Sequence, residues 1–203
     1  MEFFNRLTQD HLAFIAKQPM FFVATAAPGA RINLSPKGMD CFRVLSPLQV
    51  GYLDVGGSGN ETHAHLAADG RITIMMCAFD RPPLILRLYG RGRSVLPQDA
   101  GWAATAQPFA ILPGTRQIFV IDVDSIQTSC GWGVPFMTFE RGRETLSKYH
   151  AQQVPEERLA KIADRTQSID GLPVRIQTIM PRPDSSAVNA EVAESKPQNM
   201  ASR

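Results

Sequence analysis

Short runs of apolar, β-branched and aromatic residues, broken by turns that contain proline or glycine, recur from residue 20 to residue 124 of the 203-residue chain. Runs of this length and composition are typical of β-strands, and the turn residues mark the strand ends. They predict a hairpin that begins at Phe21 and returns at residues 31–35, followed by strands at 41–45, 49–54, 71–79, 84–95 and 117–124. Six or seven strands with few helices between them favour a β-barrel.

Helices are predicted mainly at the edges of this β-rich region. Thr8 is a candidate N-cap for a helix that ends before Pro19. Ser58 and Glu61 have the Ser-x-x-Glu spacing of a capping box, which predicts a helix start there. Further helical patterns lie at residues 100–107, 143–153 and 156–169. The predicted fold class is therefore mainly β with peripheral helices.

One domain accounts for most of the chain. Residues 1–180 contain no obvious linker, and 44% of the whole chain is hydrophobic, which is enough for a sizeable core. Residues 181–203 have almost no large apolar side chains, so burial cannot offset the entropy that ordering would cost. The sequence predicts a folded domain over residues 1–180 and a disordered tail over residues 181–203.

Charge and cysteine content exclude several classes of protein. The 21 Lys and Arg residues against 19 Asp and Glu give a net charge of +2, which is too balanced for a protein that neutralises many nucleic-acid phosphates. Three cysteines without close spacing favour neither a disulfide framework nor a metal site. The N-terminal segment lacks the pattern of a signal peptide, and no apolar run could cross a membrane. We therefore expect a cytoplasmic protein without a bound metal.

The segment GGSGNETHAHL, at residues 56–66, is the most informative motif. A strand ends at Asp54, a glycine-rich turn follows, and a helix is predicted to start. Such a junction presents unpaired backbone N–H groups and the positive end of a helix dipole, which suit a phosphate group. The alternative is a helix that is simply well capped. His63 and His65 point in different directions on a helix, which argues against a shared metal.

A second polar cluster lies on the return strand of the hairpin. Strand alternation places Arg31, Asn33 and Ser35 on one face, and the turn Pro36-Lys37-Gly38 follows. In that turn the proline stiffens the chain, the glycine allows close approach of a ligand, and the lysine supplies a cation. The alternative is an ordinary solvated strand face.

A third cluster combines arginines with glycines. Arg87, Arg91 and Arg93 alternate with apolar residues and could bind a phosphate or carboxylate, or could instead form exposed ion pairs with Asp54 or Asp122. Gly90 and Gly92, which lie between these arginines, predict a bulge or a close backbone contact. Later in the chain, the turn CGWGVP carries Trp132, which could cover a planar ligand or close a subunit contact.

Taken in order, these segments resemble the pyridoxamine 5'-phosphate oxidase-like family of FMN-binding split barrels over residues 5 to 140. The resemblance is carried by INLSPKG, YLDVGGSGNETHAHL, RITIMMCAF, RLYGRGR and SCGWGVP. It implies a six-stranded split β-barrel that forms a homodimer, with two FMN sites at the subunit interface. FMN is accordingly the cofactor that we expect.

The resemblance also implies roles for individual residues. The turn that includes Asn33 and ends at Gly38 would lie along the isoalloxazine, and Lys37 would neutralise its N1/C2 edge or the phosphate. Residues 58–62 would contact the phosphate and ribityl chain. Basic residues would come from the arginine strand, and an aromatic wall from the partner subunit. The expected cofactor-binding residues are Arg31, Asn33, Ser35, Pro36, Lys37, Gly38, Ser58, Gly59, Asn60, Glu61, Thr62, Arg87, Arg91 and Trp132.

The function implied is an FMN-dependent oxidoreductase that transfers hydride between flavin and a small planar molecule. In the true oxidase a late Arg-x-His segment holds the substrate phosphate, and no such segment occurs here, so the substrate is left open. The alternatives are a flavin carrier or redox sensor without turnover, and a deazaflavin-dependent reductase. Tyr52 and His65 are the candidates for a proton-transferring group.

Overall fold

Eight strands and five helices make up residues 1–178, the part of the chain that the computed structural model describes. The predicted tail at 181–203 lies outside the described residues. The strands are β1 Glu2–Phe4, β2 Phe21–Thr25, β3 Asn33–Lys37, β4 Phe42–Ser46, β5 Gln49–Val55, β6 Arg71–Cys77, β7 Ile85–Val95 and β8 Thr115–Ser129. The helices are α1 Gln9–Ala16, α2 Glu61–Ala68, α3 Trp102–Ala106, α4 Thr145–Ala151 and α5 Pro155–Ile162.

The strands form one antiparallel sheet in the order β3-β2-β6-β7-β8-β5-β4, and β1 pairs with β8. The predicted hairpin is confirmed, because β2 and β3 pair from Phe21 opposite Lys37 to Thr25 opposite Asn33. The mainly β class with few helices is also confirmed. The hydrogen-bonded path begins at β3 and ends at β4, and within the described residues these two strands do not pair to close it.

The expected count of six or seven strands was too low. The additional short strand β1 has only three residues, two of them exposed, so it lacks the apolar pattern by which a strand is found in a sequence. The other strands lie where they were expected, with shifts of a few residues at their ends. The largest shift is in β8, which extends from Thr115 to Ser129 and pairs with three neighbours.

The core is made by the inward-facing residues of the long strands. In β7, Leu86 and Leu88 are fully buried while Arg87 and Tyr89 are only half-buried, which is the alternation of a strand with one wet face. Each such leucine contributes roughly 1.5–3 kcal/mol by burial. The largest fully buried apolar or aromatic side chains are Tyr52, Ile74, Leu86, Leu88, Leu96, Ile118, Phe119, Ile121 and Ile126.

Glycine allows two close contacts on β7. The pairing of β7 with β8 shifts register between Tyr89 and Gly90, as the sequence predicted for a bulge. A Cβ atom on Gly90 would lie 2.1 Å from the carbonyl oxygen of Asp122. A Cβ on Gly92 would lie 2.9 Å from Leu66 of α2. The two glycines therefore let a neighbouring strand and a helix approach the β7 backbone.

The helices are short and peripheral. Thr8 caps α1, as expected, and α3 and α4 lie within their predicted ranges. The predicted helix at 156–169 was too long, because α5 ends at Ile162 and the chain continues into a bridge between Gln167 and Pro173. The longest helices have eight residues. Within residues 1–178, none has the length and apolar character needed to span a membrane.

Candidate functional site

A cavity of about 420 Å³ lies where β3, the end of β5 and the start of α2 meet. We call it the site cavity. This volume falls within the range of roughly 300–1,000 Å³ that is typical of small-molecule sites. The cavity is lined by Asn33, Ser35, Pro36, Lys37, Asp54, Val55, residues 57–62, Arg116, Phe119 and Ile169. It therefore joins the two polar clusters that the sequence singled out separately.

The alternation predicted for this strand is observed for Asn33 and Ser35, which line the cavity, while Leu34 between them is 65% exposed on the other face. Arg31 does not line the cavity, and Pro36 and Lys37, predicted as a turn, are the last residues of β3 and line it too. Asn33 donates from Nδ2 to Oγ1 of Thr62 at 3.2 Å, which ties the strand to the first turn of α2. Ser35 donates to Oδ1 of Asn33 at 3.4 Å. The polar face of β3 thus forms one wall of the cavity.

Asp54 is a buried carboxylate at the base of the cavity, with a side chain only 2% exposed. Lys37 lies with Nζ 3.2 Å from Oδ1, and Arg116 lies with Nη2 2.8 Å from Oδ2. Gln117 donates from Nε2 to Oδ2 at 3.0 Å. The carboxylate is therefore paired on both oxygens, which is what a buried charge requires.

The ionisation of Asp54 follows from these contacts. Burial by itself raises the pKa of this carboxyl group. The positive charges of Arg116 and Lys37, together with hydrogen bonds from Gln117 and Arg116, outweigh burial and hold the pKa below its usual range. Asp54 is thus an anion that fixes two cations at the cavity wall.

Gln117 extends this network to α2. Its Nε2 donates to Oδ1 of Asn60 at 2.7 Å, and its Oε1 lies 2.9 Å from Nδ1 of His63. The other ring nitrogen of His63 accepts a hydrogen bond from the backbone N–H of Arg175 at 3.0 Å. His63 therefore carries its proton on Nδ1. Burial, the largest cause, lowers the pKa of His63.

The predicted capping box is wrong. Asn60, and not Ser58, is the N-cap residue of α2, and its side chain makes no capping hydrogen bond because Oδ1 is used by Gln117. The Glu61 carboxylate accepts instead from the backbone N–H of Ile169, at 3.2 and 3.3 Å to its two oxygens. The first turn of α2 consequently keeps N–H groups that no capping side chain covers.

Two arginines hold the glycine loop, residues 56–59. Arg116 donates from Nη1 to the carbonyl oxygen of Gly59 at 2.9 Å, and Arg165 donates to those of Gly57 and Ser58 at 3.3 Å each. In a trans peptide, the N–H of the next residue points opposite to the carbonyl. The N–H groups of residues 58–60 therefore point away from the two guanidiniums.

Residues 165–176 run across one side of the site. Besides the Arg165 contact, Asp170 accepts from the backbone N–H of Arg31 at 2.8 Å and forms an ion pair with its guanidinium. Ile169 is joined to Glu61 and contributes to the cavity lining. This segment thereby links the start of β3 to the start of α2.

Two buried aromatic side chains lie near the cavity with one unpartnered polar atom each. Tyr52 is fully buried, and its hydroxyl has no hydrogen-bond partner among the described residues. Burial, followed by the charge of Asp54, raises the pKa of Tyr52 well above its usual value. His65 contacts Thr25 through Nδ1 at 3.0 Å, and its buried Nε2 has no partner within residues 1–178. Neither residue lines the site cavity.

Nine of the fourteen expected site residues line this cavity. The other five lie elsewhere in the chain. Arg31 is an exposed residue paired with Asp170, and Gly38 lies beyond the cavity wall. Arg87 donates to Ser129 and Arg91 donates to the carbonyl oxygen of Asp69, both from β7. Trp132 is 82% exposed. Any contact of these residues with a cofactor in the site cavity stays a prediction.

Besides the expected residues, the cavity is lined by Asp54, Val55, Gly57, Arg116, Phe119 and Ile169. Gln117 binds Asp54 without lining the cavity and was not expected either. Asp54 was considered only as a partner for the arginine strand, whereas its partners are Lys37 and Arg116. The sequence signal for Asp54 is its position as an acidic residue within the mostly apolar strand β5. Arg116 and Gln117 lie at the start of β8, more than fifty residues from Asp54, and no local pattern marks them.

The family model for pyridoxamine 5'-phosphate oxidase matches residues 7–130. The chain belongs to this family. A relative in the pyridoxamine 5'-phosphate oxidase family is the Aspergillus flavus protein ustO, which is 38% identical over 148 residues. That alignment covers 70% of this chain and 59% of the relative, so the chain spans about three fifths of that protein's length.

Solved structures give a more distant likeness to this oxidase-family chain. HupZ of Group A Streptococcus has 22% identity and a TM-score of 0.47, covering 59% of this chain and 91% of HupZ. An FMN-binding protein from Syntrophomonas wolfei has 14% identity and a TM-score of 0.42, covering 63% of this chain and 82% of that protein. The family match ends at residue 130, so α4, α5 and residues 165–176 lie outside it.

Proposed function

We propose that the site cavity binds the phosphorylated flavin FMN. The observation that carries this proposal is the convergence of Lys37 of β3 with the glycine loop on one cavity, over the buried carboxylate of Asp54. Membership of the pyridoxamine 5'-phosphate oxidase family supports it, because four of the five motifs that resemble the FMN-binding split barrels lie within the matched residues.

The donors around the cavity fit such a group. Backbone N–H groups of residues 58–60 and the uncapped first turn of α2 suit a phosphate. Gly57 leaves room for a ligand, since a Cβ atom there would meet no atom within 4 Å. Lys37 supplies a cation for the electron-rich edge of the ring, and Asn33, Ser35 and Thr62 offer polar contacts along the wall.

Bound FMN would supply the hydride-transfer chemistry. The residues of the chain bind and orient it: Asp54 holds Lys37 in place, and Arg116 fixes the glycine loop through Gly59. We propose an oxidoreductase acting on a small planar molecule. Its three cysteines are free thiols, which agrees with a reducing compartment such as the cytoplasm.

The binding proposal is tested with the double variant Lys37→Ala, Asn60→Ala. We expect FMN titration, followed by flavin absorbance and fluorescence, to show affinity at least roughly tenfold weaker than in the parent chain, which is about 1.4 kcal/mol. Arg93→Ala, which removes a cation exposed on another face, is the matched control and keeps full affinity. A parent chain that neither carries nor takes up flavin would contradict the proposal.

Two alternative functions can be distinguished from the proposed oxidoreductase by how the bound cofactor behaves. A flavin carrier or sensor would hold FMN that neither NADH nor NADPH reduces, whereas the proposed oxidoreductase shows rapid reduction and reoxidation in stopped-flow absorbance. A deazaflavin-dependent reductase would prefer the deazaflavin in the same titration.

We further propose that the protein is a homodimer whose partner completes the flavin site. Ile32 and Leu34 on the outer face at β3 are 78% and 65% exposed. A second apolar group comes from the segment that follows β8: Trp132, Phe136, Met137 and Phe139. Exposed apolar side chains in such groups are typical of interfaces between subunits.

A further inference from the structure

A second cavity, of about 310 Å³, lies against the glycine loop and is enclosed by α4 and α5. It shares Gly57, Ser58 and Arg116 with the site cavity, so the loop forms part of the wall of both. Its lining includes Arg116, Arg158, Lys161 and Arg165. We call it the cationic cavity. No aspartate or glutamate of the described residues is among those that line it.

The spacing of three of these cations explains how they come together. Arg158 and Lys161 lie three residues apart on α5, and Arg165 follows four residues later, just beyond the end of the helix. Arg158 and Lys161, at positions i and i+3, share one helical face, and Arg165 reaches the same cavity from the segment that follows the helix. Ile162 lines the cavity from the same region. The basic side of α5 thus faces the glycine loop.

The cations of this cavity have only neutral partners, apart from Arg116. Arg158 donates to the amide oxygen of Gln177 at 3.4 Å, and Arg165 donates to the two loop carbonyls. The side chain of Lys161 makes no hydrogen bond or ion pair with another residue of the described chain. Arg116 is paired with Asp54 behind the loop. Of the four cations of the cavity, Arg116 alone forms an ion pair with a carboxylate of residues 1–178.

Arg158 shows that this arrangement is electrostatically unfavourable. Its side chain is half-buried, and burial together with the nearby charge of Arg116 lowers the pKa of Arg158. Bringing like charges together in a partly dry cavity costs free energy. An anion bound there would recover this free energy, because guanidinium groups form short, charge-assisted hydrogen bonds with oxyanions.

We propose that the cationic cavity binds the phosphate group of a phosphorylated small molecule, at a place separate from the flavin site. Phosphate fits better than carboxylate because it carries a charge of about −1.5 to −2 at pH 7 and three acceptor oxygens, against one charge and two oxygens. The guanidinium groups of Arg158 and Arg165, the ammonium group of Lys161 and the hydroxyl of Ser58 supply enough donors for the three phosphate oxygens. The inference does not depend on the identity of the flavin.

Inorganic phosphate is the probe that tests the proposal. Isothermal titration of the FMN-saturated full chain at constant ionic strength is expected to show one saturable phosphate site per chain. The double variant Arg158→Ala, Lys161→Ala is expected to weaken phosphate binding at least roughly tenfold, with FMN affinity unchanged. If the double variant folds poorly, the single variant Lys161→Glu is used instead, because Lys161 is exposed and tolerates substitution. It is also expected to weaken phosphate binding.

Arg93→Ala, which removes one exposed positive charge from β7, serves as the control and leaves phosphate binding unaltered. The proposal is overturned if phosphate binding is not saturable, if the variants bind like the parent, or if acetate displaces phosphate at equal concentration. It is also overturned if phosphate and FMN compete one for one, since the cavity would then hold the phosphate of the flavin itself. A parent chain that binds phosphate but does not bind FMN would contradict the flavin proposal and leave the phosphate proposal intact.

Discussion

Asp54 determines the geometry of the site at the scale of single residues. It is a buried acid in an otherwise apolar strand, and its two oxygens hold Lys37 from β3, Arg116 from β8 and the neighbouring Gln117. A buried ion pair contributes little compared with an apolar core, but removing one partner leaves a charge without compensation. Asp54 therefore contributes more to the positions of Lys37 and Arg116 than to the net stability of the fold.

Replacing Asp54 by asparagine keeps the shape and removes the charge that Lys37 and Arg116 need. We expect Asp54→Asn to lower the free energy of unfolding by about 3 kcal/mol, because both cations stay partly buried. Urea denaturation measures this change. Asp122→Asn, at a 60% exposed carboxylate paired with Arg93, is the control and should change stability by less than about 0.5 kcal/mol. Equal effects of the two substitutions would contradict the role given to Asp54.

The same carboxylate predicts how stability depends on pH. The pKa of Asp54 is lower in the folded chain than in the unfolded chain, so its contribution is complete above the unfolded value. It is lost as the pH falls through the lower, folded value. We expect the stability difference between the parent and Asp54→Asn to be constant from about pH 7 to 5 and to shrink below about pH 4. A difference that grows in acid would show that another group dominates.

At the scale of elements, the bulge between β7 and β8 leaves no room for a side chain at Gly90. Gly90→Ala would place a methyl group against the backbone of Asp122, and a strand backbone cannot move aside as a side chain can. We expect a loss of about 2–3 kcal/mol in unfolding free energy. Gly133→Ala, where no atom lies within 4 Å of the added Cβ, should leave stability nearly unchanged. Thermal and urea unfolding of both variants compare them directly.

The elements differ in how far the sequence could predict them. β2, β5, β6 and β7 are predictable because their apolar runs end near prolines or glycines, and Asn33 and Ser35 share a face because alternation in a strand is regular. The pairing of Asp54 with Arg116 arises only when β5 and β8 lie side by side, which no local pattern records. The start of α2 was misread because a tertiary partner, Gln117, takes the side chain of Asn60.

At the scale of the whole molecule, the exposed apolar groups at Leu34 and Phe136 predict association. We expect light scattering after size exclusion to give twice the chain mass of 22.3 kDa. The double variant Leu34→Asp, Phe136→Asp should shift this mass towards that of one chain and weaken FMN binding with it. Leu48→Asp, at an exposed leucine in the turn before β5, is the matched control. A parent chain that runs as a monomer at micromolar concentration would contradict the dimer.

The position of β8 has a consequence for the order in which the chain can fold during synthesis. β5 and β7 meet only through β8, so the β4–β5 hairpin and the β3-β2-β6-β7 block are unconnected parts of a sheet until residues 115–129 emerge from the ribosome. Each part then exposes an unpaired strand edge, which favours association with other nascent chains. The native sheet, and with it the contact of Arg116 with Asp54, can form only after residues 115–129 have been made.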